Sequence, residues 1–297
     1  MRTSRSAGVS LGAMSIDALT SAEISLPTRP DAARVRDRIA VLAANVDLVG
    51  LTDNHAGQPR MSPLAAVALA REQGVATVVH VSCRDRNRLA LRSQIVGAAA
   101  LGSEGVLCLY GDPVSGIPRV KDYTTTRLLA EAKAWAAPHE LAVGCVADPF
   151  AADTEGELAL LGRKVAAGAD FVQTQMVFDT SRLAAFLRQA REGGKLEDRR
   201  MYASVAVLRN RRMADYVNQA LPGFSLPERA YRQIAGGGGV DLAVETAVAL
   251  AGVAGVDALH VMPLGDEAAA GRVAAAFRAA RGAPVQRDRP GRAGVGG

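Results

Sequence analysis

The chain has 297 residues, 49% hydrophobic and 22% charged, an ordinary globular composition that excludes a disordered or fibrous protein. Its net charge of +5 comes from 35 basic and 30 acidic residues. Much of that excess sits in the two ends, Met1–Ser10 and Gly282–Gly297, so it is not a nucleic-acid footprint. Aromatics are scarce, at 4%, which predicts an aliphatic core. Cys83, Cys108 and Cys145 are far apart in apolar segments, a pattern of reduced thiols rather than a disulfide framework. No apolar run reaches the roughly 18 residues of a membrane span, and the N-terminus has no continuous apolar stretch of the secretory kind. The expectation is a cytoplasmic protein.

Apolar, β-branched runs alternate with Ala/Leu/Arg segments at helical spacing. The first pair is a strand over Ser21–Leu26 and a helix over Asp31–Ala44, with Asp31 at its N-terminus. A strand over Asp47–Leu51 precedes a helix over Ser62–Gln73, opened by Ser-Pro and stopped by Gly74. Strand three, Val75–Val81, leads to a helix over Arg88–Leu101; strand four, Gly105–Leu109, leads to one over Tyr123–Ala137. Strands five and six, Leu141–Cys145 and Asp170–Thr174, are followed by helices over Thr154–Ala167 and Thr180–Glu192. Strand seven, Met201–Val207, precedes a helical stretch, Arg211–Gly252, broken at Pro222, Pro227 and Gly236–Gly239. Strand eight, Asp257–Val261, precedes the last helix, Glu267–Ala280.

Eight βα units with no leftover element imply a parallel sheet with right-handed crossovers. Eight repeats in about 260 residues favour closure into a barrel over an open doubly wound sheet. Pro27-Thr28-Arg29-Pro30 after strand one is no dinucleotide fingerprint. The Gly236–Gly239 run reads as a flexible hinge between helices. The predicted class is α/β: a single (β/α)8 TIM barrel with extra helices between strands seven and eight. Its bounds are a flexible tail over 1–19, the barrel over 20–281 and a disordered tail over 282–297.

In such a barrel, chemistry sits where strands end and βα loops begin. Polar residues gather there: Glu23 in strand one, Thr52-Asp53-Asn54 after strand two, His80 in strand three and Ser82–Asn87 after it. Gly111-Asp112-Pro113, Asp148 and Gln173-Thr174-Gln175 follow strands four, five and six. An outward carboxylate would meet the apolar helix layer at a cost of several kcal/mol. Pointing inward near the mouth, Glu23 can have a raised pKa and donate a proton. It could instead bridge to Arg84 or Arg86. Asp112 could be a turn residue, Thr52-Asp53-Asn54 a helix cap, Arg84–Arg88 a solvated loop and His80 a core histidine. The histidine spacing argues for no metal, and Cys83 lacks a base partner for thiol catalysis.

Four ordered motifs, LTDN at Leu51–Asn54, HVSCRDRN at His80–Asn87, LYGDP at Leu109–Pro113 and GADFVQTQ at Gly168–Gln175, resemble the methylenetetrahydrofolate reductase family of flavin-dependent barrels. The likeness runs over roughly Ser21–Arg281. It implies reduction of 5,10-methylenetetrahydrofolate to 5-methyltetrahydrofolate, with FAD as cofactor and NADH or NADPH as co-substrate. By the same resemblance Glu23 is the acid that protonates the folate nitrogen. Asp112 lies near flavin and pterin, and Gln175 hydrogen-bonds the pterin. Thr52, His80, Glu157 and Lys164 match flavin-contact positions, and Tyr110, Gly111 and Asp148 stand at positions of the same cofactor site. A diphosphate needs a cation such as Lys164 beside it.

Some positions depart from the family pattern. Glu23-Ile24-Ser25-Leu26-Pro27 is one proline short of the usual Glu-x-x-Pro-Pro, Tyr110 replaces a frequent Arg or Ser, and Asp148 stands where some members have His. The alternative expectation is therefore a flavin-free or redox-inactive barrel that binds a folate or C1 carrier. A homo-oligomer or a complex with a partner subunit is a further expectation; nucleic acid and membrane partners are not expected.

Overall fold

The computed structural model describes residues 18–112, 116–220 and 225–283. The expected tails fall almost wholly on residues 1–17 and 284–297, and these, with Pro113 and Pro222, lie outside the described residues. Ala18 is part of the barrel, since it is buried and its carbonyl accepts from the Tyr202 hydroxyl at 3.3 Å.

The strands are β1 (Thr20–Ile24), β2 (Leu48–Leu51), β3 (Thr77–Ser82), β4 (Gly105–Leu109), β5 (Ala142–Ala147), β6 (Phe171–Met176), β7 (Arg200–Ala206) and β8 (Ala258–Met262). They pair in sequence order, all parallel, and β1 closes on β8. The outer helices that follow β1 to β6 are α1 (Ala32–Ala43), α2 (Pro63–Arg71), α3 (Arg88–Ala100), α4 (Thr125–Ala136), α5 (Thr154–Ala166) and α6 (Thr180–Glu192). Between β7 and β8 come α7 (Arg211–Ala220), α8 (Glu228–Ala235) and α9 (Gly239–Ala251), and α10 (Glu267–Ala280) follows β8. The fold is the predicted (β/α)8 barrel with extra helices between β7 and β8.

Side-chain alternation explains how the layers form. Outward residues such as Ala22, Ile24, Val49, Leu51, Val79, Val81, Val106 and Val143 pack in one core with the helix faces. The inward lower layer carries Leu48, Val78, Leu107, Ala142, Phe171, Tyr202 and Ala258. Its centre is an edge-to-face pair, Phe171 and Tyr202, with ring centroids 5.9 Å apart. The core between sheet and helices is mainly aliphatic, with Phe186 and Phe277 buried in it, and the barrel floor is aromatic. Gly144 makes room for that plug, because a Cβ there would lie 2.2 Å from the Phe171 ring.

Asp31 caps α1 as expected, whereas Ser62 ahead of α2 makes no side-chain cap bond. Asp31, Asn87, Thr124, Asp153, Asp179 and Asp266 each accept from a backbone N–H in the first turn of the next helix. Strand one stops at Ile24, two residues early, because the Ile24 carbonyl is taken by the Thr52 hydroxyl at 3.0 Å as the chain leaves the sheet. In the Gly236–Gly239 run, read from the sequence as a flexible hinge, Gly236 and Gly237 are exposed. Gly239 begins α9 against the end of β7, where a Cβ would lie 1.8 Å from the Leu208 carbonyl oxygen.

Candidate active site

The C-terminal ends of the strands open into a cleft of about 1870 Å³. Glu23, Thr52, His80, Tyr110, Gly111, Asp112, Asp148, Glu157, Lys164 and Gln175, all singled out from the sequence, line it. They come from seven segments of chain, and barrel closure alone brings them to one face.

Glu23 points inward from β1, opposite Gly50 of β2. Gly50 is the residue that allows this arrangement: a Cβ there would stand 3.2 Å from His80 Nε2 and 3.3 Å from Glu23 Cβ. The partner of Glu23 is neither Arg84 nor Arg86 but His260 of β8, with Nε2 3.4 Å from Glu23 Oε2. His260 Nδ1 is 2.9 Å from the Ser21 hydroxyl, which lies two residues before Glu23 on β1. This order of hydroxyl, imidazole and carboxylate is that of an acyl-transfer triad. Here the hydroxyl faces a pocket of only about 20 Å³, room for about one water molecule, so it orients the imidazole and has no space for an acyl group.

The expected raised pKa of Glu23 is corrected by this environment. Burial alone raises it, but the hydrogen bond from His260 and the electrostatic influence of His260, His80 and His55 outweigh burial and lower the carboxyl to about 2. His80 moves the other way from an exposed imidazole. Burial dominates over the attraction of Glu23 and pushes it from 6.5 to about 4. Between those values the folded chain binds fewer protons than the unfolded one. The stability this gives is complete above pH 6.5 and is lost as pH falls through about 4. His80→Gln should therefore remove on the order of 3 kcal/mol of acid sensitivity in that window, read as a flatter plot of urea midpoint against pH. An unchanged slope in the variant would mean that His80 is not buried neutral.

The segment expected as a solvated loop, Arg84–Arg88, is instead a clamp. Arg84 is buried, pairs with Asp85 and reaches the Ile117 carbonyl at 3.3 Å. Arg86 donates to both oxygens of Asp53, which also accepts from the Ser82 amide at 2.9 Å and hydroxyl at 2.6 Å. Asp53 therefore ties β2 to β3 and is not a helix cap. Asn87 does cap α3, accepting from Ala90 N at 3.0 Å.

Asp112 is more than a turn residue. It accepts from the Ala56 amide at 2.8 Å and so tethers the β2–α2 loop across the cleft. That loop holds Asn54 and Ala56 in the left-handed region, at φ of 45° and 58°, strain of the kind that gathers at functional sites. Gly111 has φ of 102°, and a Cβ on it would strike Ser82 at 2.8 Å. The Tyr110 hydroxyl accepts from Arg119 at 3.0 Å. Gln175 lies in an irregularity of the β6–β7 register between Gln173 and Met176, a device that re-aims a side chain. Its carbonyl oxygen takes the Met176 amide at 3.0 Å.

Asp148, Glu157 and Lys164 form one knot at the end of β5. Asp148 N donates to Glu157 at 3.0 Å, and Lys164 Nζ donates to the Val146 carbonyl at 2.6 Å while standing 3.9 Å from Glu157. Lys164 is buried, so the cation expected beside a diphosphate is folded from α5 onto the preceding strand β5. The exposed side chains of Arg29, Arg34 and Arg212 line the same cleft. Burial raises the pKa of all three thiols, a poor setting for a nucleophile. Among the described residues no group of three or more His, Cys, Asp or Glu side chains could hold a metal ion, and no helix is long and apolar enough to cross a membrane.

Sequence reasoning missed His260, His55 and Ser21. The available signal was His260 at an inward position of strand eight, which must neighbour strand one once the barrel closes.

The sequence model of the family described as methylenetetrahydrofolate reductase matches residues 13–276. The chain belongs to that family. A Caenorhabditis elegans protein named "Probable methylenetetrahydrofolate reductase (NADPH)" is 30% identical over 128 residues, covering 41% of this chain and 19% of that protein. The chain thus aligns with about a fifth of that relative's length. Among solved structures, 2,3-dimethylmalate lyase, a member of the PEP mutase/isocitrate lyase superfamily, aligns with a TM-score of 0.51 at 12% identity. That alignment covers 89% of this chain and 80% of the lyase, a likeness of fold alone.

Proposed function

We propose that the barrel over residues 20–281 reduces 5,10-methylenetetrahydrofolate to 5-methyltetrahydrofolate, using NADH or NADPH and FAD held in the cleft. The observation that carries this reading is the convergence of eight family-matched residues on one cleft in a chain of the reductase family. The cleft exceeds the roughly 300–1,000 Å³ of a single small-ligand site, so room for cofactor and substrate together fits its size.

The donor set suits a flavin in type: hydroxyl, imidazole and ammonium groups at Thr52, His80 and Lys164, with Tyr110, Gly111, Asp148 and Glu157 around them. When bound, FAD supplies hydride chemistry that no side chain can. The chain's own residues bind, orient and move a proton. Glu23 protonates the folate nitrogen whose departure opens the five-membered ring, and Asp112 and Gln175 hold the pterin. The tethered β2–α2 loop walls one side of the cleft.

A second reading, a flavin-free barrel that binds a folate or C1 carrier, is favoured by one observation: Lys164 is closed onto Val146 and Glu157. Visible absorbance of the purified chain distinguishes the two. Flavin bands near stoichiometric content, or regained on adding FAD, are expected. Colourless protein that takes up no FAD, yet binds tetrahydrofolate, would select the second reading.

A further inference from the structure

Below the cleft the barrel holds a second, small pocket of about 20 Å³, partly open to solvent and lined by Ser21, Gly50, His80, Gln173, Tyr202 and His260 among others. That is room for about one water molecule, in a wall with several polar partners. His80 and Gln173 line both spaces and form the partition between them. Glu23 opens to the cleft above. An ionised carboxylate has only acceptors, so at 3.4 Å the Glu23 contact takes the hydrogen of His260 Nε2. His260 Nδ1 then accepts from the Ser21 hydroxyl at 2.9 Å. Hydroxyl, imidazole and carboxylate form a directed chain from the lower pocket to the floor of the cleft. An imidazole can give a proton at one nitrogen while taking another at the second.

We propose that His260 is a positioning residue that resupplies the Glu23 proton from the small pocket beneath it. This rests on the reaction proposed above, which consumes one proton on the folate nitrogen in each turnover. Glu23 gives that proton and is left as carboxylate; the proton on His260 Nε2 passes to Glu23 Oε2. The Ser21 hydroxyl proton passes to Nδ1, the hydroxyl is restored from water in the lower pocket, and that water regains its proton from solvent, so no hydroxide is left behind; no electrons move. Substrate above Glu23 covers the cleft side, and the path from below stays open. Glu104, half-buried at the start of β4, stands in the wall of this space. Of the other charged groups facing the pair, His80 is held neutral at neutral pH by burial. Asp53 is matched by Arg86, and His55 adds positive potential from the β2–α2 loop.

The test uses the full chain, with His260→Gln and Ser21→Ala, in two measurements. In the ligand-free protein, carbon-13 NMR follows the Glu23 carboxyl. His260→Gln should raise its titration midpoint by about one pH unit or more, and Ser21→Ala should leave it nearly in place. In the FAD-loaded enzyme, both variants should oxidise with methylenetetrahydrofolate about tenfold or more slowly at pH 8, with the deficit closing toward pH 6 and a larger solvent isotope effect. A fixed loss at every pH would mark a structural role and overturn the proposal, as would a Glu23 midpoint unmoved by His260→Gln. If the wild-type chain reduces no folate yet the midpoint moves, the proposed reaction fails while the coupling of His260 to Glu23 stands.

Discussion

Glu23→Gln should leave the reduction of bound FAD by NAD(P)H near its normal rate and slow the oxidation by methylenetetrahydrofolate roughly 10²–10⁴-fold, the usual worth of general acid catalysis. The amide keeps the size and some hydrogen bonding of the carboxylate but has no acidic proton to give. The two half-reactions separate the roles, because only the second opens the folate ring. Stopped-flow absorbance of the flavin reads both in one variant. Equal slowing of both, or of neither, would make Glu23 a structural partner of His260. The unliganded environment sharpens this test. With its carboxyl lowered to about 2, Glu23 is ionised at neutral pH in the unliganded protein, so the acid role requires a proton to reach it in each turnover.

Asp53→Ala should cost on the order of 3–5 kcal/mol, the usual result of removing one partner of a buried ion pair. Asp53 takes four hydrogen bonds, from Arg86 twice and from the Ser82 amide and hydroxyl. Its side chain is 2% exposed. The truncated site would leave the Arg86 guanidinium and the Ser82 amide buried without that acceptor. In a chain of this size the melting temperature should drop by on the order of 10 °C. Asp53→Asn, which keeps an acceptor for Ser82 but loses the charge, should fall between wild type and Asp53→Ala in thermal denaturation. A melting temperature within about 2 °C of wild type for Asp53→Ala would show that the clamp contributes little.

The architecture was legible because each strand and helix carries its own period, and eight repeats leave one closed solution. The cleft was legible for a related reason: polar residues such as Thr52, Asp112, Asp148 and Gln175 interrupt apolar segments at strand ends. Pairing inside the barrel was not. Glu23 has Arg84 and Arg86 as the obvious cations in sequence, but both are spent on the rim, on Asp85 and Asp53. Its true neighbour is 237 positions away, brought close by the register that sets Ser21 opposite His260. Lys164 carries the same lesson. Its charge suggested a phosphate, whereas its place on the inner face of α5 directs it to the Val146 carbonyl.

The central claim is that this barrel reduces a folate-bound methylene group. Anaerobic incubation of the full chain with FAD, NADH or NADPH, and 5,10-methylenetetrahydrofolate, followed by mass spectrometry of the folate, tests it most directly. The account predicts accumulation of 5-methyltetrahydrofolate, two mass units heavier than the methylene form before protonation differences are counted, matched mole for mole by oxidised nicotinamide. Folate recovered unchanged from protein shown to hold FAD would contradict it.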